Sequence, residues 1–157
     1  MLRQTVQKFF WIVFVLFISS CGQEEEGFRG RELSYPLSSA NPDYLYEGNA
    51  LFKELETGAV EITVQLVGER GDAAYFFPAH LHYGQYDMPD APMAAMLNPV
   101  DIRSLKSVTI VDKLSSGEAF NFESLESFNG HVKVHLADDG PDYQVILVAG
   151  NIGKNRD

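Results

Sequence analysis

The sequence predicts an all-β protein that folds as a single antiparallel β-sandwich or barrel. Polar and apolar residues alternate along several short segments, which is the pattern of strands that bury one face. Residues typical of turns separate these segments, and they are Gly68, Gly71, Pro89, Pro92, Gly117, Gly130 and Gly140-Pro141. The segments fall within residues 44–154, a length of about 110 residues that suits one domain of ordinary size.

Individual elements follow from the residue pattern in chain order. Residues 61–66 alternate polar and apolar throughout, and residues 107–111 and 132–136 do the same, so each is predicted to be a strand. Residues 144–149 are almost continuously apolar, as expected of a central strand. Residues 122–128 are the one segment where apolar residues at helical spacing predict a helical turn.

The N-terminal segment, positions 1–20, has the organisation of a bacterial export signal. Arg3 and Lys8 precede the apolar run FFWIVFVLF, and small polar residues then lead to Cys21. The run is far shorter than the ~20 residues that a membrane-spanning helix needs, so we expect a signal peptide, residues 1–20, that is cleaved. The Ile-Ser-Ser-Cys ending at Cys21 resembles the lipobox of bacterial lipoproteins, which implies lipid attachment, including palmitate, at that cysteine. The alternative is an ordinary signal peptide with a cysteine nearby by chance.

Residues 21–43 are predicted to be a lipidated flexible tether, followed by a folded domain at 44–157. Acidic residues, glycines and serines dominate this stretch, a composition that does not build a core. Gly22 and the acidic run at 24–26 resemble the sorting signal of some outer-membrane lipoproteins, although a solvated linker has the same composition. We therefore expect the protein at the cell envelope, anchored in the outer membrane and facing either the periplasm or the exterior.

The net charge argues against several kinds of partner. The chain has 12 Lys and Arg residues, of which Arg3 and Lys8 leave with the signal, so 10 basic residues face 22 acidic ones and the net charge becomes −12. A strongly acidic protein is a poor ligand for nucleic acid. Attraction to anionic lipid headgroups is disfavoured for the same reason, which leaves the lipid on Cys21 as the membrane contact.

All four histidines lie in two strand-like segments, residues 80–82 and 131–135. Residues two or four apart in a strand project from the same face, so His80 pairs with His82 and His131 pairs with His135. The apolar residues between them define the opposite, core-facing side, and the imidazoles are expected to point away from the core. If the two strands are neighbours, the imidazoles converge on one copper or zinc ion. Hydrogen-bonded surface histidines remain the alternative, because His-x-His alone is a weak motif.

Four segments resemble, in order, the bacterial form of the CHRD domain, a module named after chordin. They are PAHLH at 78–82, LNPVD at 97–101, SFNGHVKVHL at 127–136 and GNIG at 150–153. The CHRD domain is in turn similar to the Greek-key β-sandwich of Cu,Zn superoxide dismutase. This resemblance implies a copper-like site formed by His80, His82 and His135. His131 is either an outer ligand or a residue at the start of its strand, and we favour the second interpretation.

Departures from the dismutase pattern argue against dismutase activity. The sequence has no histidine between His82 and His131 to act as a bridging ligand, no second cysteine for a disulfide and no arginine in residues 143–149. The leading expectation is a non-enzymatic binding module that carries copper or zinc. The alternatives are a copper-only redox enzyme of the dismutase lineage and a metal-free structural or adhesive module. The sequence does not name a protein partner.

Overall fold

Eight antiparallel strands form one closed barrel in the computed structural model, which describes residues 27–88 and 90–156. The strands are β1 Phe28–Ser39, β2 Glu47–Leu55, β3 Val60–Val67, β4 Phe76–Tyr83, β5 Met93–Asp101, β6 Lys106–Val111, β7 Asn129–His135 and β8 Ile146–Gly153. In these residues the helical structure is limited to α1 Phe122–Ser127 and a short 3-10 turn at Pro141–Gln144. The all-β prediction is confirmed, and of the two architectures that the sequence left open the structure has the barrel.

The order of strands around the barrel is β1-β2-β3-β6-β5-β4-β7-β8. Three strands, β1 to β3, follow one another as a meander, and so do β4 to β6. Long connections then bring β6 next to β3 and β7 next to β4. The pairing of β4 with β7 joins the two histidine-bearing strands, which are far apart in sequence.

The barrel interior is filled by every second residue of the strands. In β3, Val60, Ile62, Val64 and Leu66 are all at most 2% exposed, and the polar residues between them lie partly exposed on the other face. Burial of each such side chain contributes about 1.5–3 kcal/mol relative to an exposed position. This is the strand predicted at 61–66, extended by one residue at each end.

The other predicted elements lie where the pattern indicated, with shifted ends. Strand β6 includes all of residues 107–111, and β7 begins three residues before the predicted 132–136. Strand β8 begins at Ile146 and runs on to Gly153, beyond the predicted 144–149. The helical turn predicted at 122–128 is α1, which Asn121 begins by accepting a hydrogen bond from the Ser124 amide at 2.9 Å.

The predicted tether at 21–43 is wrong for most of its length, and so is the predicted domain start at 44. Residues Phe28–Ser39 form β1, which pairs with β2 along its length and with β8 at its end. Tyr35 and Leu37 are only 3% and 2% exposed, because they alternate with polar neighbours and face the core. Pro36 is exposed between them, opposite Asn49 of β2, and β1 pairs with β8 only at Ser38 and Ser39.

Other predictions lie outside the described residues. The signal peptide at 1–20, the lipid attachment at Cys21 and the beginning of the tether all fall within positions 1–26. Among the described residues, no helix has the length and apolar character needed to span a membrane.

Candidate metal centre

The histidines gather because β4 and β7 are antiparallel neighbours. Their register sets His82 directly opposite His131 and His80 opposite Lys133, and His135 follows two residues further along β7. Side chains at opposite and diagonal positions of neighbouring strands are close enough to interact. The condition attached to the sequence prediction, that the two strands be neighbours, is therefore met.

The imidazoles lie on the outer face of the sheet and are nevertheless buried. Leu81, Val132 and Val134, which alternate with the histidines, are part of the barrel core, as expected. On the other face His80, His82, His131 and His135 are between 0% and 7% exposed. The β4–β5 and β7–β8 loops supply carbonyl groups that bind three of the rings, and these loops cover the face. The strand pattern alone predicts that the rings point away from the core, but it does not predict this cover.

Backbone carbonyls fix the orientation of three rings. The Nδ1 atom of His82 donates to the Ala91 carbonyl at 2.9 Å, and Nδ1 of His135 donates to the Tyr143 carbonyl at 2.8 Å. Nδ1 of His131 donates to the Gly84 carbonyl, also at 2.8 Å. A carbonyl oxygen only accepts, so each Nδ1 carries the proton and each Nε2 keeps a free lone pair.

His80, His82 and His135 form what we call the three-histidine cluster. One ligand nitrogen from each lies within 4.8 Å of the other two. The ring centroids are 5.7 Å apart for His80 and His82, 5.2 Å for His80 and His135, and 6.4 Å for His82 and His135. These are the three histidines that the resemblance to CHRD domains implies as a site.

Each member of the cluster has a buried nitrogen without a partner. Nδ1 of His80 and Nε2 of both His82 and His135 form no hydrogen bond to any part of the chain that the structure describes. Unsatisfied buried polar atoms are rare in native proteins and call for an explanation such as a bound ion. Nε2 of His131 is also without a partner in the described residues, but His131 is not one of the three histidines whose ligand nitrogens come within 4.8 Å of one another. For those three, a metal ion is a fitting explanation, since neutral imidazole is a standard metal ligand.

The electrostatics of the cluster keep these rings neutral. Burial lowers the pKa of His80 to about 4, and the neighbouring His135 and His82 act in the same direction. Burial is also the main reason that the pKa values of His82 and His135 are lowered, against the opposing effect of their backbone hydrogen bonds. Metal binding requires deprotonated imidazole, so the ligands are ready for it at neutral pH.

His131 supports the cluster without being a member of it. Its ring stacks on His82 with centroids 5.1 Å apart and planes 6° from parallel, and the residue is completely buried. Burial lowers the pKa of His131 to about 4. His131 thus packs face to face against the His82 ring.

Strands β4 and β7 approach closely beside the stacked rings of His82 and His131, and this approach requires glycine at position 130. A Cβ atom at that position would lie 2.5 Å from the His82 carbonyl oxygen and would also overlap the Phe128 ring.

Two residues at the site were missed by the sequence analysis. Tyr143 stacks on His135 with ring centroids 4.5 Å apart and planes 2° from parallel. Lys133 is 7% exposed and lies between His131 and His135 on β7, on the same face. Its position follows from the same period of two that grouped the histidines, whereas nothing in the sequence links Tyr143 to His135.

A cavity of about 240 Å³ opens beside the cluster. Its lining includes His82, Lys133, His135 and Tyr143, together with Asp90 from the β4–β5 loop. Of the three histidines of the cluster, His82 and His135 line this cavity and His80 does not.

Comparison with protein-family models, with curated proteins and with solved structures gave no match.

Proposed function

We propose that this protein is a lipid-anchored metal-binding module of the bacterial cell envelope. The domain binds one copper or zinc ion through His80, His82 and His135 and acts by binding rather than by catalysis. The observation that carries this proposal is that His80, His82 and His135 are buried with ligand nitrogens within 4.8 Å of one another, and that each ring also has a buried nitrogen without a hydrogen-bond partner among the described residues. A bound zinc ion supplies Lewis acidity, and a bound copper ion supplies one-electron redox chemistry.

The strand order supports the proposed relation to CHRD domains and, more distantly, to the Greek-key fold of superoxide dismutase. The neighbouring strands β6-β5-β4-β7 consist of three consecutive antiparallel strands and a fourth that returns beside the first of them. That arrangement is a Greek key. The His-x-His motif lies on the first strand of this unit and His135 on the fourth, so the proposed ligands meet where the Greek key brings distant segments together.

The anchor part of the proposal is lipidation of Cys21 after cleavage of residues 1–20. With β1 beginning at Phe28, only residues 22–27 connect the lipid to the barrel. Six residues span roughly 20 Å when fully extended. The domain is then held closer to the membrane than it would be by a tether that reached position 43. The proposed location is the outer membrane, on either of its faces. Labelling of cells with radioactive palmitate tests this proposal, and a Cys21→Ser variant that kept the label and the membrane fraction would contradict it.

Metal analysis of the protein, purified without a histidine tag, tests the metal site. We expect about one copper or zinc ion per chain in the native protein and almost none in a His80→Ala/His82→Ala variant. His131→Phe is the matched control, because it removes the fourth histidine and retains a flat ring against His82; it should keep the metal. A native protein that contains no stoichiometric metal, and takes up none from added copper or zinc, would refute the proposal.

The cavity beside the cluster favours one alternative, a copper-only redox enzyme of the dismutase lineage. A small substrate that enters this cavity would contact His82 and His135, two of the proposed ligands. This alternative predicts turnover of superoxide or peroxide by the copper-loaded protein at a rate well above that of the buffer. No such turnover would leave the binding function as the better description.

A further inference from the structure

Lys133 has a largely buried side chain and no counter-ion among the described residues. The residue is 7% exposed, and the ion pairs within 27–88 and 90–156 belong to Arg29, Arg31 and Arg103 instead. In the same residues no hydrogen bond from its ammonium group is found. A lysine is almost never buried unless it is paired, because removing the charge from water is unfavourable.

The lack of a counter-ion for Lys133 becomes more unfavourable when a metal ion is bound nearby. It lies directly opposite His80 across the β4–β7 pair and two residues before His135, so it neighbours two of the proposed ligands. The three imidazoles are neutral and offset none of the charge of a divalent ion. Metal and ammonium together would leave a concentrated positive charge in a buried site, which an anion between them would neutralise.

The cavity has suitable size and lining for such an anion. Lys133 lines it together with His82 and His135, and its volume is about 240 Å³. One water molecule occupies about 30 Å³ in the liquid, so a small anion fits with several waters. The acidic surface of the protein as a whole repels anions only weakly at this site, because salt screens exposed charges that are more than about 8 Å away.

We infer that this cavity binds a small anion, such as a carboxylate, which accepts a hydrogen bond from Lys133 and serves as the fourth ligand of the metal held by the three-histidine cluster. The inference rests on the proposed function, since it assumes that metal is bound. It adds a binding residue, Lys133, and a class of ligand, and it explains why a lysine occupies a buried position between two histidines.

An internal carboxylate is the competing source of negative charge. Asp90 lines the mouth of the cavity but is exposed, and Asp87 lies on the same loop, also exposed. Burial lowers the pKa of Lys133, and the negative charge of Asp87 opposes that lowering. These carboxylates would repel an external anion. Removing one of them should therefore strengthen anion binding, which can be tested.

Titration of the copper(II)-loaded protein with sodium azide tests the inference, with the azide-to-copper charge-transfer absorption as the readout and acetate as a competitor. We expect azide to bind and acetate to displace it. In Lys133→Met the azide dissociation constant should rise about tenfold or more, as for loss of a charge-assisted hydrogen bond. Copper should bind to this variant at least as tightly as before, because a neighbouring like charge has gone. A purely structural role for Lys133 would not produce these two opposite changes.

Three further variants make the result decisive. Lys113→Met removes one exposed lysine outside the cavity and should leave the azide affinity unchanged. Lys133→Gln should lose azide affinity as Lys133→Met does, and it replaces Lys133→Met in the titration if that variant does not fold. Asp90→Asn should bind azide more tightly; if it instead lost copper, Asp90 itself would be the anionic ligand and the inference would be wrong.

Failure of the inference and failure of the proposed function give different results. If the native protein takes up no copper, the proposed metal site is wrong and the anion site with it. If the native protein and Lys133→Met both load copper and bind azide equally, the metal site stands and only the anion site is refuted.

Discussion

Acidification of the metal-free protein should destabilise it well before its carboxylates titrate. His80 and His131 both have a pKa that burial lowers from 6.5 to about 4. Between these two pH values the unfolded chain binds more protons than the folded one, so the free energy of unfolding falls as the pH falls. The contribution of the neutral rings to the free energy of unfolding is complete above about pH 6.5 and is lost progressively as the pH falls toward 4.

The size of the effect follows from the same two pKa values. A histidine with a pKa of about 4 when folded and 6.5 when unfolded lowers the free energy of unfolding by about 2 kcal/mol between pH 8 and pH 5. The two residues together lower it by about 4 kcal/mol, a large share of the roughly 5–15 kcal/mol that is typical of a domain. His82 and His135, whose pKa values are also lowered, act in the same direction.

Urea unfolding in the presence of chelator, followed by far-UV circular dichroism at pH 8, 6.5 and 5, measures this change. A His80→Gln variant lacks one of these titrations and should lose about 2 kcal/mol less stability than the native protein over the same range. A change below about 1 kcal/mol in the native protein, or greater stability at pH 5 than at pH 8, would refute the description of these rings as buried and neutral.

Two core substitutions test the parts of the fold that hold the site. Leu37→Ala should lower the free energy of unfolding by about 2–5 kcal/mol, because Leu37 is 2% exposed in the core; Leu45→Ala, at a residue that is 80% exposed, should change it by less than about 0.5 kcal/mol. Equal effects in thermal or urea unfolding would mean that β1 is not part of the barrel. Gly130→Ala should destabilise by about 1–3 kcal/mol and weaken metal binding, because its Cβ would press on the His82 carbonyl; Gly71→Ala, which meets only the flexible Ile102 side chain at 3.1 Å, is the control. Unchanged stability of Gly130→Ala would contradict the close approach of β4 and β7.

The strands were predictable where local pattern alone is sufficient. Residues 61–66 alternate without interruption, and the period of two also determined that His80 shares a face with His82 and His131 with His135, since side chains alternate along any strand. The same rule applies to Tyr35 and Leu37 in β1, but the polar composition around them resembled a tether and hid the pattern. Composition describes the average of a segment, whereas burial depends on which face each residue occupies.

The sequence by itself determined which residues share a face in the strands that it predicted, and therefore which histidines are grouped in pairs. Only the tertiary structure decided that β4 and β7 are neighbours in the register that sets His80 opposite Lys133, because strand pairing is a long-range choice that local periodicity does not specify. It also decided that loops cover this face. Burial by those loops keeps the imidazoles neutral, leaves one nitrogen on each of the four rings without a partner among the described residues and covers most of the Lys133 side chain. The chemistry of the site thus depends on contacts between segments that are distant in the chain.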